Sequence, residues 1–344
     1  MKKNRTSLII TALLVLASLY FLFFRDSFST LGQKDNDFAV QDTAAITKIF
    51  MADKDNRTVT LTRVKGGEWM VNKKYKVRSD AISTLLFTIK MVTVENIIDP
   101  TGVPNVIKAL ASGAIKVEIY EGDKRVKVYY VGGPTADQLG TYMLLANQET
   151  GKNVKEPYIT YIPGFNGYLS TRYFINQDDW RDRTIFRYYP YALKTVKLTY
   201  PQSDSGFTVN VLGRNRFSLS NSAGQPVPVF DTIAVKQYLT YYQDVEWELT
   251  VEGAKNKDSI LNSPPIAIMN VTDTTGKLTT VKLFNKKTPP EDVQKYGKVY
   301  KYDPDQMFAL VNGKDFVMVQ YFVFGKMLEN IKYFLAPEVE NVEK

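Results

Sequence analysis

Four apolar side chains, Val59, Leu61, Trp69 and Val71, recur 148 positions later as Phe207, Val209, Phe217 and Leu219. The tight turn between them recurs too, Lys65-Gly66-Gly67-Glu68 becoming Gly213-Arg214-Asn215-Arg216. An ungapped repeat of core positions and a turn constrains the fold more than any composition can, because one supersecondary unit must then be built twice. A third matched block follows at a shift of 153, where Ile82, Leu85, Leu86 and Ile89 become Val235, Tyr238, Leu239 and Tyr242.

Each block has a readable local structure. Thr58-Val59-Thr60-Leu61-Thr62 alternates as a half-buried strand does, and Glu68-Trp69-Met70-Val71 returns after Gly66-Gly67 to make a hairpin. Ser79-Asp80 offers an N-cap to a helix whose Ile82, Leu85, Leu86, Ile89 and Val92 share one face, and Asp231-Thr232 offers the second copy's cap. A further hairpin runs from Ala114–Ile119 through Glu121-Gly122-Asp123 to Arg125–Tyr129, with a counterpart in Ile266–Val271, Gly276 and Val281–Phe284. The expected class is α+β: two tandem, duplicated strand-hairpin-helix modules with antiparallel sheets, at residues 45–185 and 192–336. An N-terminal transmembrane helix precedes them, and 337–344 is a charged tail.

That helix is expected from Ser7–Phe24, 18 residues without a charge, preceded by Lys2, Lys3 and Arg5 and closed by Arg25-Asp26. At about 1.5 Å per residue the run is about 27 Å long, close to a hydrocarbon core of about 30 Å. Cations on the amino side keep that end in the cytoplasm and send the bulk of the chain across, into the periplasm. The alternative is a signal peptide cut after Val15-Leu16-Ala17. The apolar run continues through Leu19–Phe24, past the usual h-region, which favours retention of residues 1–26 as tail and anchor. Residues 27–44 are polar, lack a sustained apolar period and read as a tether.

The chain has 344 residues, no cysteine and no histidine. Without cysteine there is no disulfide, thiol nucleophile or acylated lipoprotein; without histidine the commonest general base and metal ligand is gone. Catalysis would have to rest on carboxylate, lysine or tyrosine groups, and no cofactor or metal is expected. The net charge of +8 is spread among acids rather than gathered into a nucleic-acid surface. Lys73-Lys74-Tyr75-Lys76-Val77-Arg78 is its densest basic stretch, read as solvated loop and strand.

The Gly66–Val71 strand, Ser79-Asp80-Ala81, the Leu85-Leu86 helix and Trp180-Arg181-Asp182-Arg183-Thr184-Ile185 together resemble the domain-of-unknown-function 4340 family. The resemblance covers most of the chain beyond the anchor and rests on packing motifs. It implies a bacterial, membrane-anchored protein exposed outside the cytoplasmic membrane, with relatives associated with transporter accessory proteins of the gliding-motility type. It carries over no catalytic residue.

Two carboxylate groupings are worth weighing. Asp178, Asp179 and Asp182 would suit a hydrolase only if two of them faced each other across a cleft, whereas adjacent residues diverge. They are expected at a helix start, with an Asp cap, Trp180 in the core, and Arg181 and Arg183 pairing with local acids. Asp303-Pro304-Asp305 lacks the ligand spacing of a calcium loop and reads as a turn before a strand at Met307–Leu310. Pro163-Gly164-Phe165-Asn166-Gly167 lacks the ending of a phosphate loop and reads as a hairpin turn.

The 22 tyrosines are more telling. Tyr158, Tyr161, Phe165 and Tyr168 form one candidate interaction surface, and Tyr188, Tyr189 and Tyr191 another at the module junction, where they would also serve to join the halves. Tyr combines apolar area with a wet polar tip, as interfaces require. Trp69, Trp180 and Phe217 are the expected core anchors. The function expected is that of a non-enzymatic extracytoplasmic subunit or scaffold of an envelope assembly for transport, secretion or gliding, with other envelope or inner-membrane proteins as partners. A cell-wall glycan or peptide binder using tyrosine platforms is the second reading, and a carboxylate hydrolase the third.

Overall fold

The computed structural model describes residues 37–147, 150, 156–251, 253–288 and 300–335. They form two compact units that divide between Asp182 and Arg183. The first contains β1 (Lys48–Ala52), β2 (Thr58–Arg63), β3 (Trp69–Val71), β4 (Tyr75–Lys76), α1 (Ser79–Met91), β5 (Thr93–Ile97), α2 (Val103–Gly113), β6 (Ile115–Glu121), β7 (Lys124–Pro134), β8 (Thr141–Ala146), β9 (Tyr158–Tyr161) and α3 (Gln177–Trp180). Its nine strands make one antiparallel sheet in the order β4-β3-β2-β1-β6-β7-β8-β9-β5.

The second unit contains β10 (Thr184–Phe186), β11 (Leu193–Tyr200), β12 (Ser203–Gly213), β13 (Arg216–Asn221), β14 (Pro226–Val227), α4 (Thr232–Thr240), β15 (Val245–Glu246), β16 (Leu249–Thr250), α5 (Lys257–Leu261), β17 (Ala267–Asp273), β18 (Leu278–Lys287), β19 (Tyr302–Val311), β20 (Asp315–Gln320) and α6 (Tyr321–Phe324). Its large sheet runs β14-β13-β12-β11-β17-β18-β19-β20-β16, the same arrangement strand for strand, while β10 and β15 pair separately. Register repeats as well. Leu61 stands across Val71 and Arg63 across Trp69; 148 positions on, Val209 stands across Leu219 and Val211 across Phe217.

This architecture corrects the expected α+β class: the protein is β-rich, with two large antiparallel sheets and short helices laid on them. The strand-hairpin-helix module left out β8, β9 and β20, while the strand expected at Met307–Leu310 is the second half of β19. The pairings that close each sheet, β9 with β5 and β20 with β16, join strands far apart along the chain. Ser7–Phe24 lies outside the described residues, and among those described no helix is long and apolar enough to cross a membrane.

Each sheet buries one full face. In the first unit Ile49, Met51, Leu61, Val117, Ile119 and Tyr129 meet Ile82, Leu85 and Ile89 of α1. The tether expectation is corrected here, because Phe38 and Val40 belong to this core: hydrophobic burial, not chain polarity, ends the linker. In the second unit Val196, Val209, Met269 and Val281 meet Tyr238 and Leu239 of α4, with Phe334 sealing the end. Part of the opposite face is covered too. Leu110 of α2 approaches Gly132 so closely that a Cβ there would lie 2.6 Å from its Cδ2, and in the second unit Phe308 stacks on Phe316 at 5.3 Å.

Smaller expectations shift. The first module was bounded at Ile185, yet Thr184 and Phe186 pair with Glu246 and Val245, placing them in the second unit. The α1 cap position is Arg78, without a side-chain cap bond, so Ser79 is the first helical residue. Asp231 does cap α4, accepting from the amides of Ile233 and Ala234. Pro163–Gly167 is no hairpin, since it leads from β9 to a 3-10 turn at Ser170–Arg172. Asp303–Asp305 falls inside β19 at a register shift, where the Asp303 carboxylate accepts from the amides of Asp305 and Gln306.

Candidate functional site

In the first unit the tyrosine-rich stretch does not form an open aromatic platform. Tyr158 and Tyr161 are half-buried in β9, and the Tyr158 ring packs edge-on to Phe38 at 6.1 Å. Phe165 lies beneath the Arg172 guanidinium at 4.0 Å, and Tyr168 is half-buried. A side chain at Gly167, whose φ is +142°, would meet the Phe165 ring at 3.2 Å. Arg172 is itself held by donating to Thr88 Oγ1 of α1. These residues brace the sheet against α1 more than they present a surface.

In the second unit the three tyrosines separate. Tyr188 packs against the core beside Phe186. Tyr189 is 79% exposed and Tyr191 54% exposed. Both sit on a 3-10 turn, Pro190–Ala192, closed by the Ala192 amide donating to the Tyr189 carbonyl. The Ala192 carbonyl accepts from Thr274 of the β17–β18 turn, so the rings are displayed on a rigid support. Arg187 lies alongside, donating to Asp244 at 3.2 Å and to Glu246 at 3.1 Å. Exposed phenols beside an arginine are the composition of an interface centre.

The repeat supplies an internal control. The Val40 amide donates to the Ile89 carbonyl, and the Tyr188 amide to the Tyr242 carbonyl, so these positions are equivalent. The turn that follows matches as well, the Ala45 amide donating to the Asp42 carbonyl as Ala192 does to Tyr189, so the first unit carries Asp42 and Ala44 where the second carries Tyr189 and Tyr191. The fold is thus satisfied there without an aromatic ring.

The core anchors are placed as follows. Trp180 is fully buried and donates from Nε1 to the Phe174 carbonyl at 2.9 Å. Trp69 is buried under the Arg63 guanidinium. Phe217 is only half-buried, at the margin of its core, next to the turn that joins β12 to β13.

The candidate carboxylates do not converge, and the part-buried ones, Glu118 and Asp303, are engaged in structural pairings. Asp178 and Asp179 are exposed on the single turn of α3, whose cap position is Asn176 rather than an Asp, and Asp182 bonds through its amide to Lys76. Arg181 lies over the Tyr75 ring and Arg183 donates to the Glu248 carbonyl. Glu118 accepts from Tyr120 at 2.5 Å and pairs with Lys116 at 2.7 Å and Arg125 at 3.1 Å. Burial works to raise its pKa, but the bonds from Lys116 and Tyr120 and the Arg125 charge outweigh burial and hold it below the usual range. In the second unit Lys286 bridges Asp303 and Gln306, and Gln306 reaches Glu248. Among the described residues no group of three or more Asp or Glu side chains converges as a metal site.

Two recesses open on the first unit. One of about 300 Å³ lies between α2 and the sheet, walled by Ile107, Leu110 and Ala114 with Tyr130 as its single tyrosine. The other, about 400 Å³, lies between the β2–β3 turn and α1, over Trp69 and Ile82. Neither is the tyrosine-lined groove a glycan platform would need. Sequence reasoning missed Phe87 and Met91, exposed on α1; their spacing of four, off the apolar face, is the signal that could have found them.

Comparison with family models, curated proteins and solved structures finds no match to this chain.

Proposed function

We propose that the protein is a non-enzymatic, membrane-anchored scaffold of an envelope assembly, working through protein–protein contacts outside the cytoplasmic membrane. The carrying observation is the exposed Tyr189–Arg187–Tyr191 surface, aromatic where the equivalent turn of the other unit carries only Asp42 and Ala44. Large exposed rings on a rigid turn serve no packing purpose and suit a partner. The uncharged Ser7–Phe24 run supports anchoring, and the resemblance to the domain-of-unknown-function 4340 family points the same way.

The test is co-purification from gently solubilised membranes, comparing the tagged full-length chain with its Tyr189→Ala/Tyr191→Ala variant. The expected result is a reproducible set of envelope proteins that the variant loses while its melting temperature stays unchanged. A solitary chain, or an identical set with both versions, would overturn the reading.

A further inference from the structure

The exposed face of α1 poses a question that folding does not answer. Phe87 is 52% exposed and Met91 37% exposed, four residues apart with Lys90 between them. On the matching helix Phe87 corresponds to exposed Thr240, and at the place of Met91 the chain has left α4 and carries exposed Asp244. Ile97, 71% exposed, stands across Tyr158, itself across Met143. In the second unit Thr250 stands across Val317, itself across Ala309. At all three places the second unit folds with a polar residue, so folding does not require the apolar one.

What covers this face follows from where the chain arrives. Val40 bonds the Ile89 carbonyl at the end of α1 that carries Met91, and Phe38 packs on Tyr158, the cross-strand neighbour of Ile97. The described chain thus starts, at Asp37, three residues from a contact with the Met91 end of α1 and one from a contact with the neighbour of Ile97, with Lys127 of β7 donating to its carbonyl and carboxylate. Eleven residues separate it from Arg25, the charged end of the apolar run. Their fully extended span is at most about 40 Å.

We propose that Phe87, Met91 and Ile97 rest on the outer leaflet of the bilayer that Ser7–Phe24 enters, seating the first unit against the lipid surface. This rests on the anchored reading above. An aromatic ring, a thioether and a branched aliphatic chain partition into the interfacial zone, and the Lys90 stem can follow while its ammonium stays among the headgroups. Glu95, the extra residue where β5 bulges against β9, keeps the contact shallow, since an ionised carboxylate does not enter hydrocarbon.

The absence of native cysteine makes the test clean. The full-length chain, reconstituted in vesicles of phosphatidylethanolamine and phosphatidylglycerol, is labelled with an environment-sensitive fluorophore at Phe87→Cys. The same label goes at Leu14→Cys in the apolar run, and at Asp55→Cys in the β1–β2 turn, five strand places from β5 in the sheet. The label at 87 is expected to shift to the blue and to be quenched by lipids brominated near the glycerol end of their chains, while that at 55 does neither. With the label moved to Ile97→Cys, adding Phe87→Asp and Met91→Asp is expected to abolish the quenching without lowering the melting temperature. A label at 87 that behaves like that at 55, while the label at 14 is quenched, overturns this proposal and leaves the anchor standing. So does a shift seen in native membranes but not in pure lipid, which would mean a protein partner. An unquenched label at 14 overturns the anchored reading and this proposal with it.

Discussion

The amide of Tyr188 donates to the carbonyl of Tyr242 at 2.9 Å, repeating the bond from Val40 to Ile89 at 3.0 Å in the first unit. Carbonyls near a helix C-terminus have no partner within the helix, and here the segment leading into each unit satisfies one of them. The same segments bury Phe38 and Phe186. Each unit is thus closed by residues that precede its first long strand, and their loss would open the core.

Phe38→Ala and Phe186→Ala should each cost about 3–5 kcal/mol, as expected for deleting a buried ring. Denaturant unfolding of the full-length chain measures this. A loss under about 0.5 kcal/mol for Phe38→Ala would mean that the first unit folds without its lead-in segment.

Trp180→Ala should be similarly severe, about 3–5 kcal/mol, and it also orphans the Phe174 carbonyl. Tyr189→Ala should stay within about 0.5 kcal/mol, because its ring is solvated. Comparing the two melting curves separates a core anchor from a surface display.

Glu118→Gln tests the ion cluster through pH. Its carboxyl is held below the ordinary value in the fold, so its stabilisation is complete above the unfolded pKa of about 4.3 and is lost as pH falls through the folded value. The variant should be about 1–3 kcal/mol less stable at neutral pH. That gap should close on acidification below the unfolded value. A pH-independent gap would assign the loss to packing instead.

Gly132→Ala should destabilise the first unit by about 1–3 kcal/mol through overpacking. The added methyl would lie 2.6 Å from Leu110 Cδ2 and 2.9 Å from the Tyr142 carbonyl oxygen. Adding Leu110→Ala removes only the first clash, so thermal denaturation of the double variant should show no full recovery.

Much of the local structure was legible. The alternation at Val59 and Leu61 and the spacing of Ile82, Leu85 and Ile89 are periodicities within a few residues, and backbone geometry turns them directly into buried faces. The recurrence of those positions in the second half was legible for the same reason. The bonding of β5 to β9 was not, because those strands meet only after α2 and three strands have intervened. The candidate surface was legible only in part. The sequence groups Tyr188, Tyr189 and Tyr191 together, yet one faces the core and two face solvent.

The sequence by itself determined where β2, β3 and the helices α1 and α4 lie and which of their faces seek burial, since those follow from side-chain period and turn chemistry. Only the tertiary structure decided how many strands join one sheet, that Phe38 and Val40 close a core rather than trail in a tether, and that Phe87, Met91 and Tyr189 remain exposed. Strand order and exposure depend on which distant surfaces meet, and a side chain's own neighbours in the chain carry no record of that.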